Sequence, residues 1–197
     1  MTYASDEIFE ESLGAVFDLD RLYRFWAVES LVWHRDGYSG NANNYMLYAD
    51  PSLDGRFVFM PWGPDSALRP DNRANVPDSV LAFGALTYRL YQTEAGRARF
   101  YEELQLLLDT VWDPEGLVAE AESVRALLAP LVNAAELSAF QSDVTAVQQM
   151  ITQRRAVIEE VLAPGYPEWT TGMRSLPCTV PVAPISGTSV GPRSGRS

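Results

Sequence analysis

The chain contains no lysine, because all 15 of its basic residues are arginines. This absence excludes a lysine that anchors a nucleotide and a lysine that forms a Schiff base. There is one histidine and one cysteine, Cys178, so the chain has no intrachain disulfide and no cysteine-based zinc site. No run reaches the roughly 20 apolar residues of a membrane-spanning helix.

The charge balance also limits the function. The formal net charge is -11, whereas a nucleic-acid-binding protein presents a basic face to phosphates, so we expect no nucleic-acid partner. The first residues, MTYASDEIFEESLG, are acidic and lack the apolar centre of a secretory signal. We therefore expect a cytoplasmic protein, or a secreted or cell-envelope one if Met1 lies inside a longer precursor.

The 197 residues are 47% hydrophobic, which suits one well-packed core. Residues 18–33 carry apolar side chains on one helical face, and Asp18 is placed to cap the helix. Residues 45–48 and 56–62 predict two short strands, joined by the turn chemistry of ADPSLDG. Helical periodicity returns in five later segments: 79–91, 94–110, 114–128, 133–147 and 149–163. The expected class is α+β and mostly helical, with one hairpin.

The last part of the chain has a different composition. Residues 164–197 are rich in Pro, Gly and Ser and hold few core-building side chains, so we expect disorder from about Pro177. Tyr166 and Trp169 are the residues of this tail expected to fold back onto the helices. The predicted division is a folded part, 1–163, followed by the tail.

The segment HRDGYSGN, from His34 to Asn41, matches H-R-D-x-x-x-x-N, the catalytic loop of protein kinases. In that loop the aspartate orients a substrate hydroxyl and the asparagine binds Mg²⁺, so Asp36 is the candidate catalytic residue. The alternative is an aspartate that ends a helix before Gly37, and residue type alone favours it. His34 is more simply explained by packing than by catalysis.

Metal-ligating candidates lie on both sides of the predicted hairpin. Asn41, Asn43 and Asn44 offer amide oxygens of the kind that Mg²⁺ accepts, although asparagines are also common where the backbone is left-handed. Asp65 follows the second strand, and a hairpin would return it beside the first loop. An Asp in a Gly-Pro turn is the simpler alternative. The aromatic residues around the loop are expected to form core under the hairpin: Trp26, Trp33, Tyr45, Tyr48, Phe57, Phe59 and Trp62.

The sequences FWAVESLVW, HRDGYSGNANNYMLY and GRFVFMPWGPD resemble the spore-coat CotH kinases, a family of atypical bacterial protein kinases. The resemblance covers about residues 15–160 and is most specific over 22–68. It implies ATP- and Mg²⁺-dependent phosphoryl transfer to protein Ser/Thr hydroxyls, with a coat or envelope protein as substrate, on a C-lobe of atypical kinase fold. Asp36 matches the catalytic aspartate. Asn41 and Asn44 match the nucleotide-binding amides, and Asn44 and Asp65 the metal ligands.

Some features depart from the family pattern. Many relatives have Pro-Trp-Asp-x-Asp, whereas this chain has Pro61-Trp62-Gly63-Pro64-Asp65, so Asp65 would act alone. No glycine-rich phosphate loop and no lysine precede Asp36. The resemblance is therefore to the C-terminal half of the kinase domain, in truncated or degenerate form. Two alternatives stay open: a non-catalytic coat or envelope protein with a pseudokinase fold, and a helical interaction protein in which Asp36 and Asp65 lie far apart.

Overall fold

A computed structural model describes residues 6–69 and 75–174, which are mostly helical with one antiparallel hairpin. The helices are α1 (Asp6–Val16), α2 (Leu19–Leu31), the single turn α3 (Tyr38–Asn41), α4 (Ala85–Tyr91), α5 (Glu94–Thr110), α6 (Pro114–Leu128) and α7 (Leu137–Leu162). The strands are β1 (Tyr45–Asp50) and β2 (Arg56–Pro61). None of the described helices combines the length and the apolarity that a membrane span requires. The predicted α+β class is confirmed.

Side chains just before the helices explain where several of them begin. Asp18 accepts a hydrogen bond from the Arg21 amide at 3.0 Å, which confirms the predicted cap of α2. Thr93 and Asp113 cap α5 and α6 in the same way. Each such cap satisfies an amide that has no partner within the helix, and is worth about 1 kcal/mol.

The core lies between α2 and α5, with α4 and the end of α7 packed around it. Trp26 on α2 and Phe100 on α5 are fully buried, and their ring centroids are 4.3 Å apart. Aromatic side chains of this size are the main source of burial free energy, about 1.5–3 kcal/mol each. The core therefore holds α2 in a defined position, and with α2 the start of the loop His34–Asn44, called here the HRD loop.

The predicted helix over 79–91 is wrong in its first half. Val80, Leu81 and Ala82 are completely buried but lie outside any helix, and α4 begins only at Ala85. The backbone of Leu81 bonds to side chains instead: its carbonyl accepts from Trp26 Nε1 at 2.6 Å, and its amide donates to Ser30 Oγ at 3.1 Å. A short apolar run that is buried on all sides does not distinguish a helix from another buried segment by periodicity.

The other differences are smaller. The predicted helical segments over 133–147 and 149–163 lie in one long helix, α7, which begins only at Leu137. β1 extends two residues beyond the predicted strand, to Asp50. Residues 34–44, predicted as a loop, contain the turn α3, and α1 was not predicted at all.

The aromatic residues of the hairpin divide between core and surface. Trp26 and Trp33 are buried as predicted, but Tyr48, Phe57 and Trp62 are exposed, so the expectation that all seven would be core is wrong. Four consecutive residues of β1 are exposed, so the rest of the described fold covers the hairpin only in part.

The residues after α7 return to the core. Trp169 is buried against Phe83, with ring centroids 4.8 Å apart, and Tyr166 stacks on Tyr101 at 4.8 Å. The predicted return of Tyr166 and Trp169 is thus confirmed. The predicted disorder from Pro177, and Cys178, lie outside the described residues.

Candidate functional site

Glu29, on α2, holds the HRD loop through hydrogen bonds to its backbone. Its side chain is 2% exposed, and its two carboxylate oxygens accept hydrogen bonds from the amides of Tyr38 at 2.9 Å and Ser39 at 2.7 Å. These amides belong to the first turn of α3, where a helix has donors without internal partners. A buried carboxylate thus holds the part of the loop that carries Asn41.

Glu29 was not among the predicted site residues, although the sequence carried a signal for it. Glu29 lies three residues after the buried Trp26 and four before the buried Trp33, so its side chain emerges on the apolar face of α2. A charged residue at such a position is expected to have buried partners.

His34 links Glu29 to the end of the hairpin. Its Nδ1 lies 3.5 Å from Glu29 Oε1, and its Nε2 lies 3.2 Å from the carbonyl oxygen of Gly63. Both partners are acceptors, so only the doubly protonated imidazolium can donate to each of them. The hydrogen bond to Glu29 is the largest cause that raises the pKa of His34 above its ordinary value, and burial acts against it. This arrangement agrees with the structural role predicted for His34.

Gly37 leaves the space that this arrangement needs. A Cβ added at this position would overlap Glu29 Oε1 and would lie 2.6 Å from His34 Nδ1. The glycine of HRDG is therefore required by the close approach of the carboxylate and the imidazole to the loop backbone.

Asp36 lies at the centre of the loop between two of the predicted asparagines. Asn41 Nδ2 donates to Asp36 Oδ1 at 2.9 Å, and Asn44 Nδ2 donates to Asp36 Oδ2 at 2.8 Å. A carboxylate can only accept, so the amide nitrogens must face it and the amide oxygens face away. The hydrogen bond from Asn41 is the largest cause that lowers the pKa of Asp36, and the nearby charges of His34 and Arg35 act in the same direction. Asp36 is accordingly a carboxylate at neutral pH.

The hairpin returns the chain to this loop, as the sequence predicted. Tyr45 pairs with Pro61, and the next pair outward is closed by a hydrogen bond of 3.2 Å from the Trp62 amide to the Asn44 carbonyl. Asn44 Nδ2 also lies 3.3 Å from the Gly63 carbonyl oxygen. The end of β2 is thus fixed directly on the residue that contacts Asp36.

Gly63 brings Asn44 and Asp65 to the same place. Its φ of 53° is left-handed, and a Cβ there would lie 3.1 Å from Asn44 Nδ2 and 3.5 Å from Asp65 Oδ1. Asn44, which donates to Asp36, and Asp65 therefore both lie close to Gly63, so the two acids are near each other in space. This position contradicts the hypothesis of a helical interaction protein, which predicted that the two acids lie far apart.

The side chains at this place have the oxygen donors that a divalent cation needs. Mg²⁺ prefers hard oxygen ligands and keeps several waters, so a carboxylate and an amide oxygen are enough to hold it beside phosphates. Asp65 is exposed, and Asn44 uses its Nδ2 toward Asp36 and Gly63, so neither of these hydrogen bonds occupies its Oδ1. The side chains of Asp65 and Asn44 thus have the chemistry that a Mg²⁺ ion requires. No cluster of three or more acidic, His or Cys side chains with metal-site geometry occurs among the described residues.

A groove of about 750 Å³ lies between α6 and α7 and reaches the HRD loop only at Arg35. Its walls are largely apolar, from residues such as Val124 and Phe140. It does not contain Asp36, Asn44 or Asp65, so it is separate from the site described above.

The comparison with protein families agrees with the geometry. The family model described as CotH kinase protein matches residues 1–159 of the 197-residue chain. The chain belongs to the CotH kinase family. This membership supports a CotH-like kinase activity or a related function, and it generally suggests use of ATP and a divalent metal. No curated protein matches the chain.

The CotH match includes every residue of the Asp36–Asn44–Asp65 site. It ends within α7, so the segment that carries Trp169 and Arg174 lies outside it. That segment nevertheless contacts the site, through a hydrogen bond of 2.8 Å from the Arg174 guanidinium to Asn41 Oδ1.

Proposed function

We propose that this chain carries the phosphoryl-transfer site of a CotH-type atypical protein kinase, with Asp36 as the catalytic residue and Asn44 and Asp65 as the metal ligands. The acceptor is a Ser or Thr hydroxyl of a protein, in the setting of a spore coat or cell envelope. The observation that carries the proposal is the position of Asn44, which donates to Asp36 and lies, with Asp65, next to Gly63.

Asp36 is suited to orient a hydroxyl. Its lowered pKa keeps it ionised, and an ionised carboxylate accepts the hydrogen bond of an incoming hydroxyl. A weak base is sufficient here, because the transition state of phosphoryl transfer is loose and catalysis depends mainly on position and charge. Asn41 and Asn44 hold both carboxylate oxygens and so fix the direction in which Asp36 points.

Asn44 Oδ1 and Asp65 would hold Mg²⁺ together with the phosphates of ATP. Bound Mg·ATP supplies the transferable phosphoryl group and the charge that neutralises it. The residues of the chain supply the rigid support: Glu29 and His34 fix the loop, and the hairpin fixes Asn44 and Gly63. Sites built on such supported elements keep their geometry better than sites on free loops.

The proposal is tested by the affinity of the full chain for Mg·ATP, measured by titration calorimetry. Asp65→Asn should weaken binding by about tenfold, the value of one contact between charged partners. Asp54→Asn, an exposed acid at the other end of the same hairpin, is the matched control and should leave the affinity unchanged. Unchanged affinity in Asp65→Asn would contradict the metal site.

A second experiment separates binding from transfer. Asp36→Asn should still bind Mg·ATP but should lose phosphorylation of protein Ser/Thr, detected by mass spectrometry. Transfer that continues in this variant would remove Asp36 from the catalytic role.

The alternative is a non-catalytic coat or envelope protein with a pseudokinase fold. The complete lack of lysine favours it, because no amine is present to anchor the nucleotide phosphates. This alternative predicts no Mg²⁺-dependent nucleotide binding by the wild-type chain, so the same titration distinguishes the two functions.

A further inference from the structure

Arg174 is held against the HRD loop by a series of long-range contacts. Trp169 anchors the segment by packing on Phe83, and the Arg174 amide donates to the Phe83 carbonyl at 3.3 Å. The Phe83 amide in turn donates to the Ser39 carbonyl at 2.8 Å, within α3. The Arg174 guanidinium then donates to Asn41 Oδ1 at 2.8 Å. Arg174 is therefore positioned by the same residue, Phe83, that contacts the backbone of the loop.

The charge of Arg174 has no acidic partner among the described residues. Its side-chain hydrogen bond goes to the neutral amide of Asn41, and none of the ion pairs within the described ranges includes it. Arg174 is also exposed to solvent. Arg174 is joined to the Asp36 carboxylate through the side chain of Asn41. An exposed cation at this place, with no carboxylate partner among the described residues, is suited to an anionic ligand that brings negative charge.

We propose that Arg174 binds phosphate oxygens of the nucleotide at the Asp36–Asn44–Asp65 site. This inference rests on the proposed kinase function and assigns to an arginine a contact for which the chain has no lysine. A guanidinium has five N–H donors, so the group can keep its bond to Asn41 and still present further donors to phosphate. The hydrogen bond to Asn41 sets the orientation of the guanidinium plane relative to Asp36.

The contact leaves the metal ligands accessible. Arg174 bonds Asn41 and Phe83, and neither Asn44 nor Asp65 is among its partners. The roles are thus divided between two asparagines. Asn41 joins Asp36 to the proposed phosphate-binding arginine, and Asn44 joins Asp36 to the Gly63 carbonyl, next to Asp65.

The test measures Mg·ATP binding to the full chain by titration calorimetry, and Mg²⁺ binding without nucleotide through the fluorescence of the exposed Trp62 beside Gly63. Arg174→Gln should weaken Mg·ATP binding by about 10- to 100-fold, the value of a charge-assisted contact. It should leave the affinity for Mg²⁺ alone unchanged. The Mg·ATP affinity of Arg174→Lys should lie between those of Arg174→Gln and the wild type, because an ammonium keeps the charge but loses the planar set of donors of the guanidinium.

Arg24→Gln is the matched control, since it removes one exposed arginine whose ion pair with Glu103 lies between α2 and α5. It should change the Mg·ATP affinity by less than about twofold, as expected of a surface pair. Thermal unfolding of each variant verifies the fold.

Unchanged Mg·ATP affinity in Arg174→Gln would overturn the inference, and tighter binding would overturn it by showing that the segment blocks the site. If Asp65→Asn weakens binding while Arg174→Gln does not, the inference fails and the proposed function stands. If the wild type binds no nucleotide, both fail together.

Discussion

The buried carboxylate of Glu29 should be a main determinant of the stability of the HRD loop. The informative substitution is Glu29→Gln, which keeps the size of the side chain and removes its charge. A glutamine retains one acceptor oxygen and replaces the other by an NH₂ group, which cannot accept from a backbone amide. One of the two amides, that of Tyr38 or that of Ser39, therefore loses its partner.

The magnitude follows from these two bonds. A hydrogen bond to a charged group contributes about 1.5–3 kcal/mol, against about 0.5–1.5 kcal/mol for a neutral pair. A buried amide without a partner costs about 1–3 kcal/mol. One bond weakened and one lost give an expected decrease of roughly 2–4 kcal/mol in the free energy of unfolding. This decrease is a large share of the free energy of unfolding of a typical folded domain, which is about 5–15 kcal/mol.

The measurement is urea unfolding at neutral pH, followed by tryptophan fluorescence. Glu122→Gln is the control, because the Glu122–Arg125 pair lies on the solvent-exposed surface of α6 and should contribute little to stability. The dependence of the free energy on urea should be similar in the wild type and both variants, which shows that the same unfolding is compared.

The reasoning is refuted if Glu29→Gln is as stable as the control variant. Such a result would mean that the loop amides find other partners, and that Glu29 does not organise α3.

Two more predictions concern buried cations. The pKa of His34 is raised above its ordinary 6.5, so its contribution to stability is complete below about pH 6.5 and is lost as the pH rises through the folded-state value. The unfolding free energy should therefore fall as the pH rises above about 6.5, and His34→Gln should flatten that dependence in urea titrations at several pH values. An equal dependence on pH in both proteins would contradict the assignment. Arg154, on α7, donates to the carbonyls of Ser30 at 2.6 Å, Leu31 at 2.8 Å and Asp78 at 2.7 Å. Burial lowers its pKa to about 10, so it stays charged, and Arg154→Lys tests geometry alone. The single nitrogen of an ammonium cannot reach all three carbonyls, so we expect the free energy of unfolding, measured by thermal unfolding, to fall by about 2–4 kcal/mol. A decrease below about 1 kcal/mol would show that the planar guanidinium geometry is not needed.

Much of the local structure was predictable because it depends on neighbouring residues. The bounds of α5 and α6 agree with the predicted segments 94–110 and 114–128, where periodicity and capping residues coincide. The hairpin followed from its turn residues, and with it the return of Asp65 toward the HRD loop. The site residues named from the sequence, Asp36, Asn41, Asn44 and Asp65, lie together in the structure. Their roles in metal and nucleotide binding remain predictions.

The rest depends on contacts between distant residues. The buried segment over 80–82 is stabilised by Trp26 and Ser30, which are more than fifty residues earlier in the chain, and no local pattern reveals such partners. Arg174 reaches Asn41 across 133 residues for the same reason. Glu29 differs, because its position on an apolar helical face was visible in the sequence.

The helix α7 is anchored in the core by only one of its halves. It has 26 residues and is therefore about 39 Å long, but its buried side chains, Met150, Ile151, Arg154 and Ile158, all lie in its second half. Its first half packs with α6, which has no buried residue. The α6–α7 pair is thus anchored through the second half of α7, where Arg154 donates to the carbonyls of Ser30 and Leu31 at the carboxyl end of α2. Both carbonyls lie within two residues of Glu29, so Arg154 ties the α6–α7 pair to the helix end from which the HRD loop begins.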